Sequence, residues 1–216
     1  MKIIFANLMV CLGILSFTAC ERSVQTAPPP KNVNLKANID DKEGLPVGYK
    51  VITLGGGCYW CVEAVFQQLD GVHSVVSGFT GGHVKNPTYA EVCGKKSGHI
   101  EVIKVTYDPN KLPLGDVLAW FWASHDPTTK DRQGNDSGPQ YASAIFYENS
   151  SDKAVIDASI QNVQKEFTRP IVTVVRQAET FYDAPAAHQD YYFQNKHDGY
   201  CQYVIKPKLE KLKLRK

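Results

Sequence analysis

The order of apolar patterns along residues 48–177 restricts the fold more than any other feature of the sequence. Alternating or β-branched segments predict strands, and apolar residues spaced at i, i+3, i+4 and i+7 predict helices. The predicted strands are 48–54, 72–80, 100–107, 142–147 and 172–177, and the predicted helices are 58–69, 114–124 and 151–167. This β-α-β-β-α-β-α-β order is typical of a ferredoxin-like α+β fold, a two-layer α/β sandwich with helices packed on a mixed sheet.

The composition fits one ordinary domain with extra segments at its ends. Of the 216 residues, 43% are hydrophobic, which suffices for one core, and 24 basic side chains nearly balance 22 acidic ones. A net charge of +2 gives no electrostatic reason to expect binding to nucleic acid. We expect a monomer.

The N-terminus has the layout of a secretory signal peptide over residues 1–19. Lys2 precedes an apolar run over 3–15, which is too short to span a bilayer and ends in small or polar residues. Ala19 followed by Cys20 resembles the lipobox of bacterial lipoproteins, in which the cysteine is acylated after cleavage. We expect a cell-envelope protein, either periplasmic or membrane-anchored through Cys20, with plain secretion as the alternative.

A polar segment over residues 20–46 separates this leader from the domain. It contains three consecutive prolines at 28–30 and shows neither helical nor strand periodicity, so the sequence predicts a flexible tether. The folded domain is then expected to occupy residues 47–216.

A cysteine follows a glycine run at the start of the first predicted helix. The glycines at 55–57 allow a sharp turn, and the helix start favours a thiolate at Cys58 because unpaired backbone N–H groups point there. Cys61 lies about one turn further on and could pair with Cys58. Tyr59 and Trp60 would form an aromatic wall, which favours ligands that carry sulfur or methyl groups.

This segment admits two other interpretations. Cys58 could be a small core residue, or the glycines could form a phosphate-binding loop. The segment lacks the Lys-Ser/Thr pair of Walker loops and the spacing of a dinucleotide fingerprint, which argues against phosphate binding.

Motifs in register along residues 49–203 resemble the peptide methionine sulfoxide reductase A family. The motifs are Gly-Cys-Tyr-Trp at 57–60 with Val-Glu at 62–63, Gly-Gly at 81–82, Asn-Pro-Thr-Tyr at 86–89, Glu-Val-Cys at 91–93, Gly-His-Ile-Glu at 98–101, Tyr-Asp-Pro at 107–109, His-Asp-Pro-Thr at 125–128, Arg-Gln-Gly-Asn-Asp at 132–136 and Gln-Tyr at 140–141. The resemblance implies reduction of methionine-S-sulfoxide in proteins and peptides. It also implies no bound cofactor and an external dithiol reductant such as thioredoxin.

The resemblance implies a role for each matching catalytic position. Cys58 attacks the sulfoxide sulfur, and Glu101 acts as the acid for the oxygen if burial keeps it protonated. Tyr89 and Tyr141 hold the sulfoxide oxygen, and Asp136 organises the pocket.

The same resemblance places the substrate methyl group against Tyr59 and Trp60. The family more often has Phe at position 59, and Tyr keeps the ring while adding a hydroxyl group. The pocket is therefore expected to survive this change.

Two cysteines compete to resolve the oxidised Cys58. Cys201 matches the recycling cysteine of the family and is the preferred candidate, because cysteines at i and i+3 in a helix need local distortion to form a disulfide. Cys61 is the alternative. Cys93 is expected to be an inert buried thiol, and Cys11 is removed with the leader.

The histidines and Glu63 are not expected to take part in the chemistry of the site. The six histidines show no paired metal-binding spacing with cysteine, so no metal is expected. Glu63 is interpreted as a solvated helix carboxylate and is left out of the site.

Two alternatives belong to other functional classes. The first is a thioredoxin-like dithiol oxidoreductase built on residues 58–61, which would not need the further motifs. The second is a non-catalytic envelope lipoprotein with structural disulfides.

Overall fold

The structure is a computed structural model that describes residues 39–40 and 45–214. The predicted signal peptide 1–19 and most of the predicted tether 20–46 lie outside the described residues. Within the tether, two strands of two residues each pair antiparallel, with Ile39 opposite Pro46. The sequence predicted no strand there.

Ten strands and six α-helices make up the described part of the chain. The strands are β1 (Ile39–Asp40), β2 (Leu45–Pro46), β3 (Lys50–Gly56), β4 (Val72–Thr80), β5 (Ile100–Tyr107), β6 (Arg132–Gln133), β7 (Asp136–Ser137), β8 (Ser143–Tyr147), β9 (Val174–Gln177) and β10 (Tyr182–Asp183). The helices are α1 (Tyr59–Phe66), α2 (Tyr89–Cys93), α3 (Leu114–Ser124), α4 (Ser150–Val163), α5 (Tyr191–Gln194) and α6 (Lys206–Lys211). The described residues also contain three short 3-10 turns and one π-helical turn. The 3-10 turns are Pro139–Tyr141, Gln164–Glu166 and Ala186–His188, and the π-helical turn is Cys201–Ile205.

The main sheet has the strand order β10-β4-β5-β3-β8-β9. All neighbouring strands from β10 to β8 pair antiparallel, and β9 adds to β8 in parallel. Helix α1 connects β3 to β4, and α3 connects β5 to β8, so each crossover skips one intervening strand. The predicted ferredoxin-like α+β fold, with helices on a mixed sheet, is confirmed.

The predicted elements are found close to their expected bounds, with two informative differences. Strand β3 extends two residues further than predicted because Gly55 and Gly56 pair with Ala144 and Ser143 of β8. Helix α2 lies between the second and third predicted strands, where the sequence predicts no element. A five-residue helix is too short for periodicity to reveal, and it is fixed by a capping box that joins Thr88 and Glu91.

The alternation of β5 decides which of its side chains face the helices. Ile103 and Val105 belong to the large core that includes α1 and α3, whereas Ile100 and Val102 belong to a small cluster on the other face. Because successive strand residues point to opposite faces, Glu101 faces the helical layer. The sheet thus brings a carboxyl group beneath the start of α1.

Candidate active site

The glycine run places Cys58 at the start of α1. Gly57 has φ +89, and a Cβ atom there would lie 2.5 Å from Cβ of Gln133, so glycine is required both by the backbone and by the available space. Cys58 is the N-cap residue with φ −58 and ψ 125, one position before the first helical residue. The sequence had placed it on the first turn.

The Cys58 thiol is buried, and its electrostatic environment differs from the prediction. Its side chain makes no capping hydrogen bond to the helix. Burial raises the pKa of Cys58 well above its usual value, and the hydrogen bond to Cys61 and the charge of Glu101 add to the rise. These effects oppose a thiolate at Cys58 in the substrate-free site, so the thiolate expected there stays a prediction.

The surroundings of Cys61 favour its thiolate more than those of Cys58 do. The hydrogen bond from Cys58 lowers the pKa of Cys61 to about 6, although burial opposes this shift. The charge of Lys208 and a hydrogen bond with Tyr200 also lower it, and the Tyr200 hydroxyl lies 3.5 Å from the Cys61 sulfur. The directions of the two pKa shifts favour a Cys58 thiol that donates its proton toward Cys61.

Glu101 is the buried acid of the site, as the sequence predicted. It is 2% exposed, and its carboxyl oxygen accepts a hydrogen bond of 3.2 Å from the backbone N–H of Tyr59. Burial raises the pKa of Glu101 to about 8, against the opposing effect of that hydrogen bond. At neutral pH the carboxyl group therefore holds a proton beside Cys58.

Two phenols and a second carboxyl group lie near Cys58 and Glu101. Burial raises the pKa of Tyr89 and of Tyr141, and the charges of Glu101 and Cys58 raise both further, so both hydroxyl groups remain protonated donors. Asp136 accepts a 2.8 Å hydrogen bond from the Tyr200 hydroxyl. Burial raises the pKa of Asp136, while this hydrogen bond lowers it.

The aromatic wall predicted at positions 59 and 60 is present and almost fully buried. The hydroxyl group of Tyr59 is hydrogen-bonded to Nδ1 of His188 at 2.7 Å, so this buried polar group has a partner. Burial lowers the pKa of His188 to about 4, so the ring is neutral. Trp60 stacks on Tyr191 with centroids 3.7 Å apart and ring planes 8° from parallel.

Sequence reasoning missed four residues that shape the site. His188, Tyr191 and Tyr200 come from a segment to which no element was assigned, and its only signal was a high density of aromatic residues. Glu63 is 0% exposed, so its interpretation as a solvated carboxylate is wrong. The position of all four depends on contacts between parts of the chain that are distant in sequence.

The other cysteines lie apart from Cys58. Cys201 is 0% exposed within its π-helical turn, where its thiol adds to the raised pKa of Tyr192, so it does not lie on an open tail. Cys93 is half-buried at the end of α2, so the prediction that it is fully buried is wrong. Cys20 and Cys11 lie outside the described residues.

The described part of the chain shows neither a metal cluster nor a membrane-spanning helix. Over residues 39–40 and 45–214, the structure contains no group of three His, Cys, Asp or Glu side chains that could hold a metal ion. No helix in those residues has the length and apolar character needed to cross a bilayer.

Together the fold and the site define a thiol-dependent oxidoreductase. Its thiol and thiolate can accept an oxygen atom and form a disulfide, and its buried carboxyl group can protonate an oxygen. The adjacent aromatic rings suit an apolar group attached to sulfur.

Comparison with known proteins identifies the family. The family model for peptide methionine sulfoxide reductase matches residues 50–216. The peptide methionine sulfoxide reductase MsrA 1 of Rhodopirellula baltica is 47% identical over 164 residues, which are 76% of this chain and 85% of that protein. The corresponding MsrA of Thermus thermophilus is 48% identical over 162 residues, which are 75% of this chain and 92% of that protein.

A solved structure supports the same assignment. Reduced Mxr1 from Saccharomyces cerevisiae matches with a TM-score of 0.70 at 29% identity, covering 77% of this chain and 94% of the yeast chain. The chain belongs to the peptide methionine sulfoxide reductase A family, and it is a reductase of peptide methionine sulfoxide. This sets aside the thioredoxin-like and the non-catalytic alternatives.

Proposed function

We propose that this enzyme repairs oxidised proteins and peptides by reducing methionine-S-sulfoxide with Cys58 as the nucleophile. The observation that carries the proposal is that the buried Cys58, at the start of α1, has Cys61 as a hydrogen-bond partner and lies next to Tyr59, whose backbone N–H binds the Glu101 carboxyl group at 3.2 Å. Cys61 can take a proton from the nucleophile, and Glu101 can give a proton to the substrate.

The first half-reaction transfers one oxygen atom. The Cys58 sulfur attacks the sulfoxide sulfur while its proton passes to Cys61. Glu101 protonates the sulfoxide oxygen, which Tyr89 and Tyr141 hold by hydrogen bonds. The oxygen passes to Cys58, which becomes a sulfenic acid, and methionine leaves. Cys61 and Glu101 then exchange their protons with solvent.

We expect wild-type enzyme with dithiothreitol to reduce a peptide that contains methionine-S-sulfoxide and to leave the R epimer unchanged. Separated epimers and chromatographic quantification of the methionine product measure this. Equal rates on the two epimers would contradict the assigned substrate.

Cys61 is proposed to resolve the sulfenic acid. Its thiol attacks Cys58, a disulfide forms and water leaves. Since Cys58 is the N-cap residue rather than an interior helical residue, regular helix geometry does not constrain its backbone against a disulfide with Cys61. The backbone N–H of Cys61 already donates to the Cys58 carbonyl at 3.1 Å. Cys201, the candidate preferred from the sequence, is buried beside Tyr192 and becomes the alternative.

This order of thiols predicts different behaviour for two matched variants. Cys61→Ser should complete one turnover and then lose at least about tenfold in steady-state rate with a thioredoxin-like dithiol protein, because the sulfenic acid lacks its nearest thiol. Cys201→Ser should cycle at nearly the wild-type rate. A burst experiment followed by steady-state measurement separates the two phases. Normal cycling by Cys61→Ser together with loss of cycling by Cys201→Ser would reassign resolution to Cys201.

We also propose that the enzyme acts in the cell envelope, anchored through an acylated Cys20. The leader-like residues 1–19 and the Ala19-Cys20 junction support this proposal. Mass spectrometry of the mature protein should find a diacylglycerol-modified N-terminal Cys20. An unmodified N-terminus at Cys20 or beyond would instead support plain secretion.

A further inference from the structure

Glu63 is a fully buried carboxyl group that the proposed reaction does not use. It lies on α1, five residues after the nucleophile and three residues after Trp60, so it shares a helix face with Trp60. An ionisable group at 0% exposure is costly unless it is hydrogen-bonded. Its partners therefore indicate its role.

Three donors converge on this carboxyl group. One oxygen accepts hydrogen bonds from the Ser77 hydroxyl at 3.0 Å and from the backbone N–H of Asp190 at 3.1 Å. The other oxygen accepts from the backbone N–H of Tyr191 at 3.2 Å. Two consecutive backbone groups of a remote segment are thus fastened to α1 by one side chain.

The fastened segment has a strained backbone. Asp190 has φ 52, in the left-handed region that residues other than glycine seldom adopt. Its carboxyl group also accepts a hydrogen bond from the Gln67 side chain, which lies just after α1. Contacts with α1 and its end therefore hold a conformation that the segment would not favour alone.

This segment carries the ring that completes the aromatic wall. The Tyr191 ring stacks on Trp60, and the Tyr191 backbone N–H binds Glu63. Two residues of α1 therefore hold Tyr191. The preceding Gln189 binds the backbone N–H and carbonyl groups of Ser77, which also donates to Glu63. Strand β4, helix α1 and the segment that contains Asp190 and Tyr191 therefore meet at Glu63.

The charge state of Glu63 fits this arrangement. Burial raises its pKa to about 7, while the three donors oppose the rise. All three partners offer hydrogen atoms, so the ionised carboxylate satisfies them best.

We propose that Glu63 is a positioning residue for substrate binding, which fastens Asp190 and Tyr191 so that the Tyr191 ring stays stacked on Trp60. This inference rests on the proposed function. Glu63 acts through Tyr191, so its loss should weaken binding of the sulfoxide side chain more than it slows the chemistry at Cys58.

The test compares Glu63→Gln in two backgrounds, with a methionine-S-sulfoxide peptide and dithiothreitol. In the wild-type background, KM should rise about tenfold and kcat should change less than about threefold. In the Tyr191→Ala background, the same change should alter KM less than about twofold, because the ring through which Glu63 acts is gone. An unchanged KM in the first background, or equal factors in both, would overturn the proposal.

Two milder variants keep the test decisive if Glu63→Gln folds poorly. Gln67→Ala releases the same segment at a second point and should raise KM by about threefold. Ser77→Ala removes a donor outside the segment and should leave KM within about twofold of wild type. The opposite ranking of these two variants would contradict the role. Absence of wild-type turnover would contradict the proposed function itself, whereas normal turnover with unchanged KM in every variant contradicts only the role of Glu63.

Discussion

Cys58→Ser is expected to lower kcat for a methionine-S-sulfoxide peptide by at least about a thousandfold. A serine hydroxyl is a much weaker nucleophile at neutral pH and cannot form a sulfenic acid or a disulfide. The neighbouring groups at Glu101, Tyr89 and Tyr141 remain, but they have no sulfur to which the oxygen can pass. Initial rates of methionine formation with dithiothreitol measure the effect.

Cys201→Ser is the matched control, because it makes the same atomic change at another buried cysteine. Urea unfolding midpoints of both variants verify that each stays folded, since a serine hydroxyl at a buried cysteine position costs stability unless it finds a hydrogen-bond partner. In a single-turnover experiment, Cys201→Ser should form one equivalent of methionine and Cys58→Ser none. Activity of Cys58→Ser within about tenfold of wild type would exclude Cys58 as the nucleophile.

The elements with strong local periodicity could be predicted from the sequence. Helix α3 and strands β4 and β5 occupy the predicted residues, because each has a regular apolar pattern over eight or more positions. Helix α2 could not be predicted in this way. It is short, and its stability comes from the Thr88–Glu91 capping box and from tertiary packing.

The sequence motifs predicted which residues form the centre of the site, but they did not predict the proton distribution between Cys58 and Cys61. The raised pKa of Glu101 follows from burial on a helix-facing strand position, which the alternation of β5 fixes. The proton distribution between Cys58 and Cys61 follows from a side-chain hydrogen bond and from Tyr200 and Lys208, which come from the other end of the chain. No local pattern encodes such contacts.

Glu101→Gln is expected to lower kcat at pH 7 by about a hundredfold, the usual contribution of a positioned general acid. The amide keeps the shape of the carboxyl group and can still meet the N–H of Tyr59 with its oxygen. It has no acidic proton to give to the sulfoxide oxygen. Because binding does not require that proton, KM should change much less than kcat.

The pH dependence separates acid catalysis from a merely structural role of Glu101. With pKa values of about 6 for Cys61 and about 8 for Glu101, the wild-type rate should rise through pH 6 and fall above pH 8. In Glu101→Gln the fall above pH 8 should disappear, while the rise near pH 6 remains. Retention of the alkaline fall in the variant would assign it to another group.

The free energy of unfolding provides a second measurement on Glu101→Gln, and it is expected to change in the opposite direction to the activity. A carboxyl group whose pKa is raised in the folded protein destabilises it as pH rises from its ordinary value of 4.5 toward about 8, because only the unfolded chain ionises freely there. Glu101→Gln should therefore be at least as stable as wild type at about pH 8, with the difference shrinking toward about pH 5. Urea unfolding at the two pH values measures this. A variant that loses activity while it keeps or gains stability has lost a proton donor, whereas a parallel loss of stability would show that Glu101 mainly supports the fold.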